Sequence, residues 1–172
     1  PDSFKGQPVL KFGNSAGQNA AMRLILNPTV GKNYTLVTVF RSDAEQAVFQ
    51  PVVQSFYRYY GIDVTNSVLC SRAAGEVSRL APVSSARPVI AVSSADGTYN
   101  RFAVNNVGLT QRTLGAIDWS LNGNNGGGNH YLYLGAGTEY SMADLPFRGE
   151  IAEVLIFNRV LAQTELNGLM GY

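Results

Sequence analysis

Acid–base, nucleophilic and metal chemistry have little to draw on in this chain of 172 residues: twelve Asp and Glu, one His and one Cys. Glu150 and Glu153 come nearest to a catalytic pair. A retaining glycosidase needs two carboxylates about 5 Å apart, whereas residues three apart on an extended strand point to opposite faces. Ala152 fills the alternate position where a partner for Glu150 would stand. The two glutamates are therefore expected to pin neighbouring loops or to meet Arg159, and the chain is read as not an enzyme. No Gly-x-Ser-x-Gly elbow accompanies His130, which reads as the first residue of a strand. Cys70 cannot form an intrachain disulfide, and with His130 it cannot complete a four-ligand zinc site. It reads as a small buried hydrophobe.

Binding chemistry is better supplied. Glycan recognition combines aromatic faces for stacking with planar polar partners. In Phe56-Tyr57-Arg58-Tyr59-Tyr60 the alternation puts Tyr57 and Tyr59 on one face; they either line a binding surface or pack across strands. Trp119, the single Trp, precedes the tract Leu121 to Asn129 and is either a stacking platform or a core residue. Asn122, Asn124 and Asn125 in that tract are the candidate polar partners. The tract is too rich in Gly and Asn to pack a core and lacks the Lys-Ser/Thr of a phosphate cradle. Asp96, Asn100 and Asn105 are the candidate calcium ligands, a thin set for an ion that takes six to eight oxygens. No other cofactor is expected.

The elements that would position these residues are strands. Hydrophobic period is two, or a short continuous run, almost throughout. Candidate strands are 9–12, 22–26, 34–40, 55–60, 67–71, 76–80, 88–92, 100–104, 130–134 and 148–157, separated by Gly, Asn and Pro. Ten short strands predict an all-β sandwich of two antiparallel sheets. Both faces of 34–40 are apolar, so core is expected on one side and covering loops on the other. Asp96-Gly97 between two apolar runs predicts a hairpin. Leu166, Leu169 and Met170 predict one short helix over 162–170, its start left uncapped by Ala162.

Composition bounds the rest. Thirteen basic residues against twelve acidic give a net charge of +1, charged residues are 15% of the chain, and there are 18 glycines. Nothing here attracts a phosphate backbone or an anionic leaflet, so neither nucleic acid nor membrane insertion is expected. The length fits one domain, residues 1–172, able to bury about 70% of its unfolded surface without staples. The sequence opens at Pro1 with no leader pattern, as in a processed chain or a domain cut from a larger protein.

The segment Phe147-Arg148-Gly149-Glu150-Ile151-Ala152-Glu153-Val154-Leu155-Ile156-Phe157-Asn158-Arg159-Val160-Leu161, with Glu165 following, resembles the closing strand of laminin-G-like, concanavalin A-like jelly-roll domains. Pro8 to Phe12 is similar to the opening strand of that family, Tyr34 to Arg41 to its aromatic strand ending in an exposed Arg, and Pro88 to Asn106 to its hairpin. The resemblance implies a jelly-roll sandwich with a curved inner sheet. It also implies a setting that is extracellular, on a cell surface or in a virion. The superfold hosts lectins, adhesion modules, hydrolases and structural proteins. The expected role is a non-catalytic recognition or adhesion module for a glycan or protein surface. The alternative is a structural domain of a fibre, capsid or surface assembly working by protein–protein contacts only, and the third reading is a glycoside hydrolase. Homo-oligomers through the parent protein are a further expectation.

Overall fold

The computed structural model describes residues 4, 6–13, 22–26, 33–43, 50–55, 60–65, 68–73, 76–82, 87–105, 107–114, 130–135 and 147–170. Among these, the first sheet contains β1 (Leu10–Phe12), β3 (Asn33–Ser42), β8 (Val89–Asp96), β9 (Tyr99–Val104), β10 (Val107–Thr113) and β12 (Gly149–Phe157). The second contains β2 (Met22–Leu26), β4 (Gln50–Ser55), β5 (Tyr60–Thr65), β6 (Val68–Ala73), β7 (Glu76–Pro82) and β11 (His130–Leu134). The strand orders are β1-β12-β3-β8-β9-β10 and β2-β11-β4-β5-β6-β7. All pairings are antiparallel, so the fold is the all-β, two-sheet sandwich that the periodicity predicts.

Alternation assigns each strand an inward face. Tyr34, Leu36 and Phe40 of β3 meet Val53, Ile62, Leu69, Leu132 and Leu134 of the other sheet in one core. Burying each such side chain stabilises the fold by about 1.5–3 kcal/mol. Phe147 joins this core, edge-on to Phe40 with ring centroids 5.9 Å apart and tilted against Phe12 at 6.4 Å. The Tyr34 hydroxyl is fully buried in this core, and burial drives its pKa above the usual tyrosine value, only partly opposed by its hydrogen bond with Ser93.

The expected strand over 55–60 lies mostly outside the described residues: β4 ends at Ser55 and β5 starts at Tyr60. Two expectations are corrected. The outward side of β3 is covered by a helix, α1 (Gln163–Met170), rather than by loops. Val37, Val92 and Ala103 pack there against Leu161, Leu166 and Met170. The register also slips between Ile151 and Glu153, so Glu150 pairs with Arg41 and Glu153 with Val39. Arg41 and Val39 share a face, so this β-bulge at Ala152 places both glutamates on one side.

Candidate functional site

The outward face of the first sheet is closed by α1. Thr35 Oγ1 on β3 accepts the Leu161 N–H at 3.0 Å and lies 3.0 Å from the Arg159 carbonyl, tying the helix approach to the sheet. Glu165 in the first turn accepts the Ala162 N–H at 2.8 Å, the half of a capping box that does not need a polar residue at Ala162. Its carboxylate is gripped by both terminal nitrogens of Arg159, at 2.9 and 2.6 Å. Arg159 thus meets Glu165, and neither Glu150 nor Glu153 as the sequence suggests. That grip, reinforced by the Ala162 N–H, lowers the Glu165 pKa from 4.5 to about 2.

The second sheet differs. On its outward face the register aligns Arg23 of β2, Tyr133 of β11, Gln54 of β4 and Gly61 of β5, and continues to position 72 of β6. Asp63 and Cys70 form the neighbouring row. Arg23 is exposed, while Tyr133 (6%), Gln54 (1%), Asp63 (1%) and Cys70 (1%) are buried. The Thr65 hydroxyl lies 2.7 Å from Asp63 Oδ1. Gln54 stands apart, because neither Oε1 nor Nε2 has a protein partner although both are shielded from solvent. A buried amide in that state costs about 1–3 kcal/mol per unsatisfied group. Gly61 beside it is glycine of necessity: a Cβ would come within 2.6 Å of the Val53 carbonyl oxygen. The row therefore joins a guanidinium, a phenol and an amide able both to donate and to accept, of which the guanidinium is the exposed member.

None of Arg23, Gln54, Gly61 or Tyr133 is singled out by the sequence. The available signals were the lone Gln54 in the otherwise apolar run Val52-Val53-Gln54 and the alternation of tyrosine and leucine in Tyr131-Leu132-Tyr133-Leu134. The candidate ligand residues Tyr57, Tyr59, Trp119, Asn122, Asn124 and Asn125 lie outside the described residues.

The candidate calcium ligands are not brought together. Asp96 closes the β8–β9 turn, with Oδ1 accepting the Thr98 and Tyr99 N–H groups at 2.9 and 2.8 Å and Oδ2 paired with Arg101 at 2.8 Å. Burial alone would raise its pKa, but those backbone donors and Arg101 outweigh it and hold the carboxyl below its usual value. Asn105 sits beyond the far end of β9, in the left-handed region at φ 47°, its side chain accepting the Ile90 N–H at 2.8 Å. Asn100 is buried at register with Ala95. The first two are structural residues of opposite ends of one strand pair, which is why they share a hairpin in sequence and no site in space. Among the described residues no cluster of three His, Cys, Asp or Glu could hold a metal. Glu150 is 8% exposed and pairs with Arg41 at 3.2 Å. Asp43 reaches the same guanidinium at 4.0 Å.

The same architecture recurs in solved structures. The CBM40 of the Ruminococcus gnavus IT-sialidase, bound to α2,3 sialyllactose, superposes with a TM-score of 0.64 at 16% identity, over 83% of this chain and 84% of that one. The heptameric SAP-like pentraxin of Limulus polyphemus gives 0.68 at 7% identity, over 94% and 80%. Domain 4 of AbnA, an extracellular GH43 arabinanase from Geobacillus stearothermophilus, in complex with arabinotriose, gives 0.64 at 15% identity, over 96% and 82%. The fold is a concanavalin A-like jelly roll. At these identities the likeness concerns the fold alone. No known family model and no curated protein matches the chain.

Proposed function

We propose that this chain is a non-catalytic, laminin-G-like glycan-binding module, working in an extracellular, cell-surface or virion setting as part of a larger protein. The observation that carries the reading is the outward row of the second sheet, Arg23, Tyr133 and Gln54, with the Gln54 amide buried and unpartnered beside Gly61. A sugar's adjacent hydroxyls both donate and accept, and so match both ends of such an amide. Support comes from two similarly folded domains that are bound to sialyllactose and arabinotriose. Tyr57 and Tyr59 follow Gln54 in the chain, within the segment joining β4 to β5, and extend the proposed site together with Trp119, Asn122, Asn124 and Asn125. The pairing of Glu150 with Arg41 supports a non-catalytic role.

The test is a glycan array with the 172-residue domain, with and without calcium, followed by calorimetric titration of each hit. Gln54→Leu is expected to weaken binding at least tenfold, a loss of about 1.4 kcal/mol, while leaving the melting temperature unchanged or raised, since the unpaired amide is removed. Trp119→Ala and Tyr59→Ala are expected to weaken it too. A hit whose affinity is unchanged by Gln54→Leu overturns the site. Silence across the array overturns the function and selects the structural reading, which one feature favours: the exposed apolar edge at Leu10, Met22 and Leu24.

A further inference from the structure

Among the described residues four strands end the two sheets, and an unpaired strand edge invites pairing with another chain unless it is short, charged or interrupted by proline. Three of the four are protected. β1 has three residues and includes Lys11; β7 contains Glu76, Arg79 and Pro82; β10 presents Thr110, Gln111, Arg112 and Thr113 to solvent. β2 is not protected. Its five residues, Met22-Arg23-Leu24-Ile25-Leu26, include one charge, on the residue that shares the outward face with Tyr133.

The exposed large apolar side chains among the described residues are Leu10 (42%), Leu24 (37%) and Met22 (36%), all on the two edge strands β1 and β2. Met22 and Leu24 are in register with Leu134 and Leu132, which are buried in the core, so they belong to the inward face and yet remain open to water. An open cleft of about 380 Å³ lies between these edges, lined mainly by apolar residues such as Leu10, Leu24, Leu134, Ile151 and Val154, with Glu153 the one charged residue among its lining. Among the described residues the core is therefore not sealed along this side of the sandwich. A hydrophobic patch that gathers on one edge, while the rest of the described surface lacks one, marks an association site.

We propose that β2 is a self-association edge, at which two copies of the chain pair β2 against β2 about a twofold axis through Leu24. The strand is self-complementary in that register alone. Antiparallel pairing centred on Leu24 sets Leu24 against its counterpart, Met22 against Leu26 and Arg23 against Ile25, so all five residues pair, the faces match and no charge opposes itself. Centring on Arg23 would set two guanidinium groups directly opposite, which is destabilising. Centring on Ile25 would leave Met22 and Arg23 unpaired. A net charge of +1 adds little repulsion between copies. The two second sheets then run on as one, Leu24 and the cleft are covered, and the interface is isologous.

Sedimentation equilibrium of the 172-residue chain from micromolar to millimolar concentration is expected to show a monomer–dimer equilibrium. Leu24→Lys should abolish it, with the circular dichroism spectrum retained. A second measurement does not depend on the stability of that variant. In a Cys70→Ala background, Leu24→Cys should form a disulfide-linked dimer on mild oxidation, because antiparallel partners stand about 4.5–5.5 Å apart between Cα atoms; Arg23→Cys should not. A monomer at every concentration, a dimer that survives Leu24→Lys, or equal crosslinking at positions 23 and 24 overturns the proposal.

Discussion

Single residues hold this fold where backbone and side chain have one solution. Gly135, just after β11, has φ 74°, a conformation that costs other residues roughly 1–3 kcal/mol. A Cβ there would also run into the Phe12 ring. Its N–H reaches the Val52 carbonyl at 3.0 Å and its carbonyl takes the Phe147 N–H at 2.8 Å, so it cannot move without disturbing both sheets. Gly135→Ala is accordingly expected to destabilise by at least about 2 kcal/mol, strain and overpacking together. Adding Phe12→Leu should restore part of that loss in a double-mutant cycle measured by thermal denaturation; strict additivity would show that the two positions do not interact. Asp96 offers a second case. Because both its oxygens already serve the turn and Arg101, Asp96→Ala should lower the melting temperature by the same amount with calcium as with chelator. The sequence marks Asp96-Gly97 as a turn, and the structure explains why a carboxylate is there. It could not mark Gln54, since what distinguishes that residue is the absence of a partner, a property of packed neighbours on other strands.

Elements were legible to the degree that local pattern decides them. The helix at 163–170 and the hairpin of β8 and β9 follow from spacing and from Asp96-Gly97. β10 was hidden because Val107-Gly108-Leu109-Thr110-Gln111-Arg112-Thr113 is an edge strand with little apolar alternation, and the bulge at Ala152 was hidden because register is a relation between two strands. The helix start shows where a simple rule misleads. Ala162 offers no side-chain cap, yet Glu165 caps its N–H and is itself held by Arg159. A depressed carboxylate pKa contributes stability above the ordinary value and loses it as pH falls. The Glu165 contribution is therefore complete above its ordinary value of 4.5 and fades as pH approaches about 2. Glu165→Gln should melt below wild type near neutral pH, and the gap should close on acidification; a gap constant with pH would assign the effect to packing. Ala162→Ser supplies the missing half of the cap and should add about 1 kcal/mol, equally at both pH values.

At the scale of the whole molecule, the strand order sets what must exist before anything can be stable. β12, near the end of the chain, lies between β1 and β3 in the first sheet. Ile151 of β12 and Phe147 just before it are core residues, 2% and 0% exposed. Residues 161–170 then seal the outward side of β3, β8 and β9. Among the described residues no earlier strand substitutes for these contacts, because pairing of β3 with β8 leaves the other edge of β3 bare over ten residues. Closing such long-range pairings costs loop entropy before burial repays it, which makes folding slow and cooperative. A fragment of residues 1–146 is expected to show no cooperative thermal transition and to bind a hydrophobic dye, whereas the 172-residue chain unfolds in one transition. Adding a peptide of residues 147–172 to the fragment should restore a transition, since the peptide supplies both the missing central strand and the helical cover. A fragment that melts cooperatively by itself would mean that the second sheet and the β8–β9 hairpin form a sufficient core, and that β12 docks onto a structure already made.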